Sequence, residues 1–329
     1  MIINISWIYS KSVKYSKKGV LYLKSIIQTI YNAVVNYSVG EVIMLHRVDY
    51  RCKNMLPCMA ELTISPTTLE NFIKDNLATR NFISVSELVA CINREKCRTD
   101  KKFLCFTMDD GYKDIYIYAY PIFKKYNVPF CIFITTDFIN NDRAFNWPYI
   151  IEQIVLQHDR IELSDGRIFN SITLAEKEQT FRTLKSILQN ISYQTFRNDV
   201  EQLFEKYLPF EDDENLHLSW DEIREMVASG LCTIGGHTIN HSSLAHILKE
   251  EMKEEIKGCK DVLESSLNQE INCFAYPFGS VSDVNSLVMD VTKECGYQIS
   301  FISHGGSIRR NDKNLFSVKR IMLQEDGIA

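Results

Sequence analysis

The stretch Phe103-Leu104-Cys105-Phe106-Thr107-Met108-Asp109-Asp110-Gly111 carries an apolar run straight into two adjacent carboxylates and a glycine. A short apolar run bounded by turn chemistry reads as a buried strand. Asp-Gly also closes ordinary turns. Two neighbouring acids are less ordinary, because in a shared pocket they repel, and one of them is driven towards its neutral form unless a cation keeps both ionised.

Working outward, the same pattern recurs. Glu41–Leu45, Phe130–Thr135, Leu231–Ile234, Asn272–Tyr276, Gln298–Ile302 and Phe316–Met322 have strand character, with helical segments between them. Ser84-Val85-Ser86-Glu87 and Ser219-Trp220-Asp221-Glu222 are capping boxes, the second opening a helix that stops at Gly230. Residues 114–125 read as helix interrupted near Pro121. Met252, Ile256, Cys259, Leu263 and Leu267 make one helix face, and Val284, Leu287, Val288, Val291 and Cys295 another. Strand and helix in alternation predict an α/β chain folded as a deformed parallel (β/α) barrel of about seven strands over residues 41–329. The rhythm breaks from about Phe138 to Leu218. There the pattern is helical at Tyr149–Leu156, Leu174–Leu188 and Phe196–Leu208, with an acidic run at Glu211–Glu214 and little strand character. A helical insertion shaping one end of the barrel is expected.

The chain has 329 residues, 45% of them apolar, and a formal net charge of -5, which argues against a nucleic-acid-binding surface. Its ten cysteines include no CxxC pair, against a zinc ribbon or a thioredoxin-type redox site. The opening Met-Ile-Ile-Asn-Ile-Ser-Trp is not a charged region followed by an unbroken apolar run, so no secretory signal and a reducing, cytoplasmic setting are expected. Residues 1–40 hold no acid but carry Lys11, Lys14, Lys17, Lys18 and Lys24, while Leu23, Ile26, Ile27, Ile30 and Val34 follow helical spacing. Two placements suit such a basic amphipathic segment. It docks on the domain, the commoner fate of such a face, or residues 1–38 lie peripherally on the anionic inner face of a membrane.

Gly235-Gly236-His237-Thr238-Ile239-Asn240-His241 follows directly on the strand Leu231–Ile234. Histidines at i and i+4 face one way on a helical turn, where two imidazoles reach one metal. Like the aspartate pair, they stand at the C-terminal end of a strand, the active face of a β/α barrel. Two imidazoles and one carboxylate form a common catalytic zinc set that leaves open positions.

Thr107-Met108-Asp109-Asp110-Gly111, His237-Thr238-Ile239-Asn240-His241 and Phe274-Ala275-Tyr276-Pro277-Phe278-Gly279, in this order, resemble the polysaccharide deacetylases, the NodB-homology group of carbohydrate esterases. The resemblance runs from about Glu41 to the C-terminus, apart from the insertion. It implies a metal-dependent hydrolase that removes acetyl groups from N-acetylated sugars of a bacterial-type polysaccharide or glycan precursor. It further implies one divalent ion, foremost Zn2+, on Asp110, His237 and His241, with Asp109 as general base. Tyr276, Pro277 and Phe278 would form a groove segment in which the Phe278 backbone N–H serves the oxyanion. Rival readings are an O-acetyl esterase or non-sugar amide hydrolase at the same site, and a non-catalytic glycan-binding barrel.

This chain departs from the family's pattern in two places. Ala275 stands where many relatives carry an arginine that orients the base, leaving Arg320 and Arg47 as candidate replacements, and no Trp-containing fourth motif follows Gly296-Tyr297. In addition, the family's last strand, which ends in a histidine acid, has no counterpart at Phe316–Met322. Val42-Ile43-Met44-Leu45-His46 has that pattern at the start of the domain instead. First and last strands are neighbours in a closed barrel, so a circularly permuted arrangement with His46 as the general acid is expected, and His304 is the next candidate. His158, His217 and His246 are expected at the surface, Trp220 in the core, and Trp147 either in the core or stacked on sugar.

Overall fold

Seven runs of alternating or continuous apolar character become the strands β1 (Ser38–Leu45), β2 (Lys102–Met108), β3 (Phe130–Ile134), β4 (Cys232–Gly236), β5 (Cys273–Ala275), β6 (Ile299–Gly305) and β7 (Val318–Gln324). In the computed structural model, which describes residues 37–50, 55–93, 101–139, 145–189, 191, 195–210 and 216–328, each pairs in parallel with the next in chain order. β7 returns to β1 through Ile43↔Ile321 and Met44↔Met322 and closes the barrel. The first strand therefore sits between the second and the last. The ring is deformed where pairing is thin: β4 and β5 share the single register Gly236↔Phe274.

Helices cover the outside: α1 (Pro66–Asn76), α2 (Val85–Ile92), α3 (Tyr120–Tyr126), α4 (Trp147–Gln157), α5 (Leu174–Leu188), α6 (Phe196–Leu203), α7 (Trp220–Ala228), α8 (Lys249–Leu267) and α9 (Ser286–Glu294). Both expected capping boxes form, at Ser84 with Glu87 and at Ser219 with Glu222, and a third opens α5 at Thr173 with Glu176.

The two-residue period of a strand separates two cores. Ile43, Leu104, Phe106, Ile132 and Ile134 pack outward against helix residues such as Leu69, Phe123, Ile223 and Ile256. Val42, Phe103, Cys105, Cys131, Phe133, Cys273, Phe301 and Val318 fill the barrel itself. Gly235 belongs to the inner set, and a Cβ there would lie 2.5 Å from the Phe133 ring. Continued to the strand ends, the inward phase reaches Met44 and His46 after Val42, Thr107 and Asp109 after Cys105, His237 after Gly235, and Arg320 after Val318.

The insertion between β3 and β4 builds a core of its own from Trp147, Ile151, Val155, Phe181, Leu184, Phe196, Val200 and Phe204. It is not purely helical: Arg160–Glu162 and Ile168–Asn170 pair as an antiparallel hairpin. Three-residue strands show too little alternation to be read from sequence. α6 stops at Leu203, short of the expected Leu208, and a 3-10 turn over Glu205–Tyr207 follows. The basic segment up to residue 36 and the acidic run Glu211–Glu214 lie outside the described residues. Among those described, no helix is long and apolar enough to cross a membrane.

Candidate active site

At the end of β2 the chain reverses tightly. The Gly111 amide donates to the Asp109 carbonyl at 2.9 Å, with Asp110 (φ 73°) and Gly111 (φ 87°) both left-handed. The reversal gives the two carboxylates different partners. Asp109 receives both terminal nitrogens of Arg320, Nη1 to Oδ1 at 2.7 Å and Nη2 to Oδ2 at 2.8 Å. Arg320 is itself fixed, since Nε donates to the Ile302 carbonyl at 3.0 Å and Nη1 also reaches Thr107 Oγ1 at 3.3 Å. Burial pushes the Asp109 carboxyl up, but the Arg320 guanidinium outweighs it and holds the group below the usual carboxylate range. Of the two candidate arginines, Arg320 is the one that meets Asp109. Arg47 turns away, its Nε donating to Asp114 at 2.7 Å and its guanidinium lying 4.8 Å over the Tyr112 ring.

The two histidines of the HxxxH pattern are not on a helical turn, contrary to the sequence expectation. β4 runs extended through Gly236, and a loop with Thr238 (φ 65°) and His241 (φ 58°) left-handed follows. Its shape is imposed from outside. Buried Glu255 on α8 accepts from the amides of Ile239 (2.7 Å) and Asn240 (3.1 Å), from Asn240 Nδ2 (3.1 Å) and from Ser242 Oγ (2.6 Å). From the insertion, Trp147 Nε1 donates to the Asn240 carbonyl at 3.0 Å, so this ring packs in the core.

His237 Nδ1 faces the Ala275 carbonyl at 2.8 Å, which makes it the donor and leaves the Nε2 lone pair free. Nε2 of His237 and of His241 lie 3.5 and 3.3 Å from Asp110 Oδ1. The three ligand atoms are all within 4.8 Å of one another. Burial pulls His237 down to about 4, so its ring is neutral at pH 7, as ligation requires. Asp110 is pushed up by burial but held below the carboxylate range overall by His241, His46 and His237. Its Oδ1 is buried without a hydrogen-bond partner among the described residues. An orphaned carboxylate oxygen facing two imidazole nitrogens suits a divalent ion of the zinc type.

A cleft of about 280 Å³ opens over this group. His46 reaches it from β1, with Nε2 3.8 Å from Asp109 Oδ2. Phe278, left-handed at φ 60°, sets its ring edge-on to His241 at 4.7 Å, and Phe138 stacks on the other side at 5.8 Å. Tyr276 borders the cleft, but its hydroxyl is turned to Ser300 Oγ at 2.6 Å and the Phe316 carbonyl at 3.1 Å. Pro277 shapes the turn, its carbonyl accepting from the Gly279 amide at 2.6 Å. His304 is exposed and held off the cleft by its Nδ1 contact to the Gly279 carbonyl at 3.0 Å.

His158 and His246 are exposed as expected, and Trp220 packs half-buried against the main core. His217 is not a surface residue. Its ring stacks on Tyr112 at 5.3 Å, Nε2 meets Asn146 Nδ2 at 2.9 Å, and burial pulls it down to about 3. The end of the insertion pairs with the chain just after the aspartates, Leu218 donating to the Gly111 carbonyl, which draws His217 inside. Sequence reasoning also missed Glu255, Phe181 and Lys185. Each lies on an amphipathic helix where an acid or lysine reads as solvated and a phenylalanine as ordinary core.

Residues 96–300 match the family described as Polysaccharide deacetylase. Over 107 residues the chain is 24% identical to the Bacillus subtilis (strain 168) protein YxkH, whose name carries the same family. That alignment takes in 32% of this chain and 37% of the relative's length. Among solved structures, the fold is similar to that of the Streptococcus pyogenes deacetylase PplD in complex with acetate, with a TM-score of 0.57 and 17% identity over 89% of this chain and 94% of that one. It is also similar to IcaB from Ammonifex degensii, with a TM-score of 0.58 and 18% identity over the same shares. At these identities the likeness establishes the fold.

Proposed function

The chain belongs to the polysaccharide deacetylase family, and from that premise we propose that it hydrolyses the acetamido group of an N-acetylated sugar, in a bacterial-type polysaccharide or glycan precursor, with one divalent ion, foremost zinc. The observation that carries this reading is the division of labour between two adjacent buried acids. Asp109 is clamped by Arg320, and Asp110 turns towards two imidazoles an oxygen that has no hydrogen-bond partner among the described residues. A non-catalytic glycan-binding barrel gives no reason for this arrangement.

In this reading Asp110, His237 and His241 would hold the ion, which would supply Lewis-acid chemistry to the acetyl carbonyl and the attacking water. Asp109, kept ionised and oriented by Arg320, takes a proton from that water as its oxygen adds to the acetyl carbon. The Phe278 backbone N–H, the groove donor that the family resemblance implies, would donate to the developing oxyanion. As the C–N bond breaks and acetate leaves, His46 gives its proton to the sugar nitrogen.

Acetate release from N-acetylglucosamine oligomers by the zinc-loaded protein, run beside O-acetylated sugars, tests the reaction class. Release only from the O-acetylated set would transfer the reading to an esterase. His46→Ala is expected to keep its zinc and lose about a hundredfold or more in kcat. An unimpaired variant would remove His46 from the reaction.

A further inference from the structure

The wall of the cleft opposite the barrel carries a cation for which the reaction above has no use. Lys185 stands on α5, one helical turn after Phe181, and both side chains line the cleft that holds His46, Asp109 and the Asp110–His237–His241 group. Its Nζ lies 4.6 Å over the ring of Phe278, the residue that stands edge-on against His241. A ring face attracts an ammonium but accepts none of its three N–H bonds in the ordinary sense. Among the described residues Lys185 has no carboxylate partner and no hydrogen-bond acceptor. Burial, the largest influence on it, pulls the ammonium below its ordinary value, while Cys58, Asp283 and Asp110 act the other way.

The charge of the cleft has the same sense. Asp109 is neutralised by Arg320. When a divalent ion is held, Asp110 offsets one of its two charges. The remaining positive charge and that of Lys185 then face the cleft, and among the described residues no carboxylate is in contact with the Lys185 ammonium, Asp283 and Asp110 acting on it only at longer range. A neutral sugar offers only hydroxyl dipoles, a poor return for a partly desolvated ammonium, whereas an oxyanion gives a charge-assisted hydrogen bond.

We propose that Lys185 binds an anionic group, a phosphate or carboxylate, carried by the acetylated sugar or by the unit joined to it. This deepens the deacetylase reading and rests on it for the identity of the acetylated sugar.

The test uses the full chain loaded with zinc and three probes: N-acetylglucosamine, N-acetylglucosamine 1-phosphate and N-acetylmuramic acid, which are neutral, phosphorylated and carboxylated. Binding is measured by calorimetry and turnover by acetate release. At least one anionic probe is expected to bind more tightly than the neutral sugar, and which one it is identifies the source of the anion. Lys185→Met, which keeps the stem on Phe278, is expected to cut that preference by about tenfold to a hundredfold with zinc stoichiometry held at one. Lys185→Arg is expected to retain most of it. Equal binding of all three probes, no binding of either anionic probe, or an equal loss for all three in Lys185→Met would overturn the proposal. An intact binding preference without acetate release from any probe would instead remove the deacetylase reading and leave the anion subsite standing.

Discussion

The cleft has two walls of different construction. On the barrel side, His46, Asp109, His237 and Arg320 stand on or just past parallel strands, so their backbones are tied to neighbours on both sides and their side chains are fixed by charge and hydrogen bonds. On the insertion side, Phe181 and Lys185 project from one turn of α5, and Trp147 and His217 buttress the site from behind, all held mainly by apolar and ring contacts. Side chains on a strand ladder are held more precisely than side chains on loops, which suits groups that must meet a small reacting centre. A helix packed over the mouth sets shape and charge, and it can change without disturbing the ladder. Substitutions on the barrel wall should therefore act on turnover and metal, and those on the insertion wall on affinity and stability.

The sharpest way to break this contrast is to remove a ligand. His237→Ala and His241→Ala are each expected to lose the bound ion and, with it, activity, while far-UV circular dichroism shows the barrel intact. Unchanged metal stoichiometry in both would dismantle the site. Next in size, Asp109→Asn should keep the metal and lower kcat by about 10²- to 10⁴-fold, because it removes a base and not a ligand.

Arg320→Met comes third and separates charge from geometry. It leaves the Asp109 carboxyl buried without its guanidinium, so that group's pKa rises and the acid limb of kcat/KM moves to higher pH. Breaking a buried pair in this way costs about 3–5 kcal/mol. In the parent, the depressed Asp109 contributes stability that is fully present above the unfolded carboxylate value and is lost as pH falls through its folded value. Denaturation of parent and variant should therefore differ most near neutrality and converge in acid. A constant gap across pH would mean that the loss is packing alone.

The smallest effect belongs to the insertion. Trp147→Phe keeps a ring in the core but loses the donor to the Asn240 carbonyl, so about 1–3 kcal/mol of stability and up to about tenfold in zinc affinity are expected to go, with kcat at saturating zinc little changed. A large fall in kcat there would show that the two walls are not separable.

The three motifs were enough to place Asp109, Asp110, His237 and His241 at strand ends, and the seven strands could be found by their apolar runs. The HxxxH spacing misled because it was read on a helical period. The loop's real shape comes from Glu255, on a different element, and from the tryptophan of the insertion. His217 and the hairpin in the insertion escaped for a related reason. Short strands carry little period, and a histidine beside an acidic run gives no sign that its neighbour Leu218 will pair with Gly111.

What the sequence by itself determined is what a local period can encode. Successive strand residues point to opposite faces, so Val42, Met44 and His46 share a face, as do Cys105, Thr107 and Asp109, and Val318 and Arg320, before any partner is known. What only the tertiary structure decided is which of those faces meet. Ala275 leaves Asp109 without the arginine of the family's pattern, and the sequence offers Arg47 and Arg320 equally. Closure of β7 against β1 brings Arg320 onto Asp109 across 211 residues, while Asp114 takes Arg47. The orientation of α5 likewise turns Lys185, a residue that reads as solvated on any amphipathic helix, into a cation that lines the cleft without a carboxylate partner among the described residues. Such pairings depend on ring closure and helix docking, which sum many weak contacts between distant segments and leave no period in the chain to read.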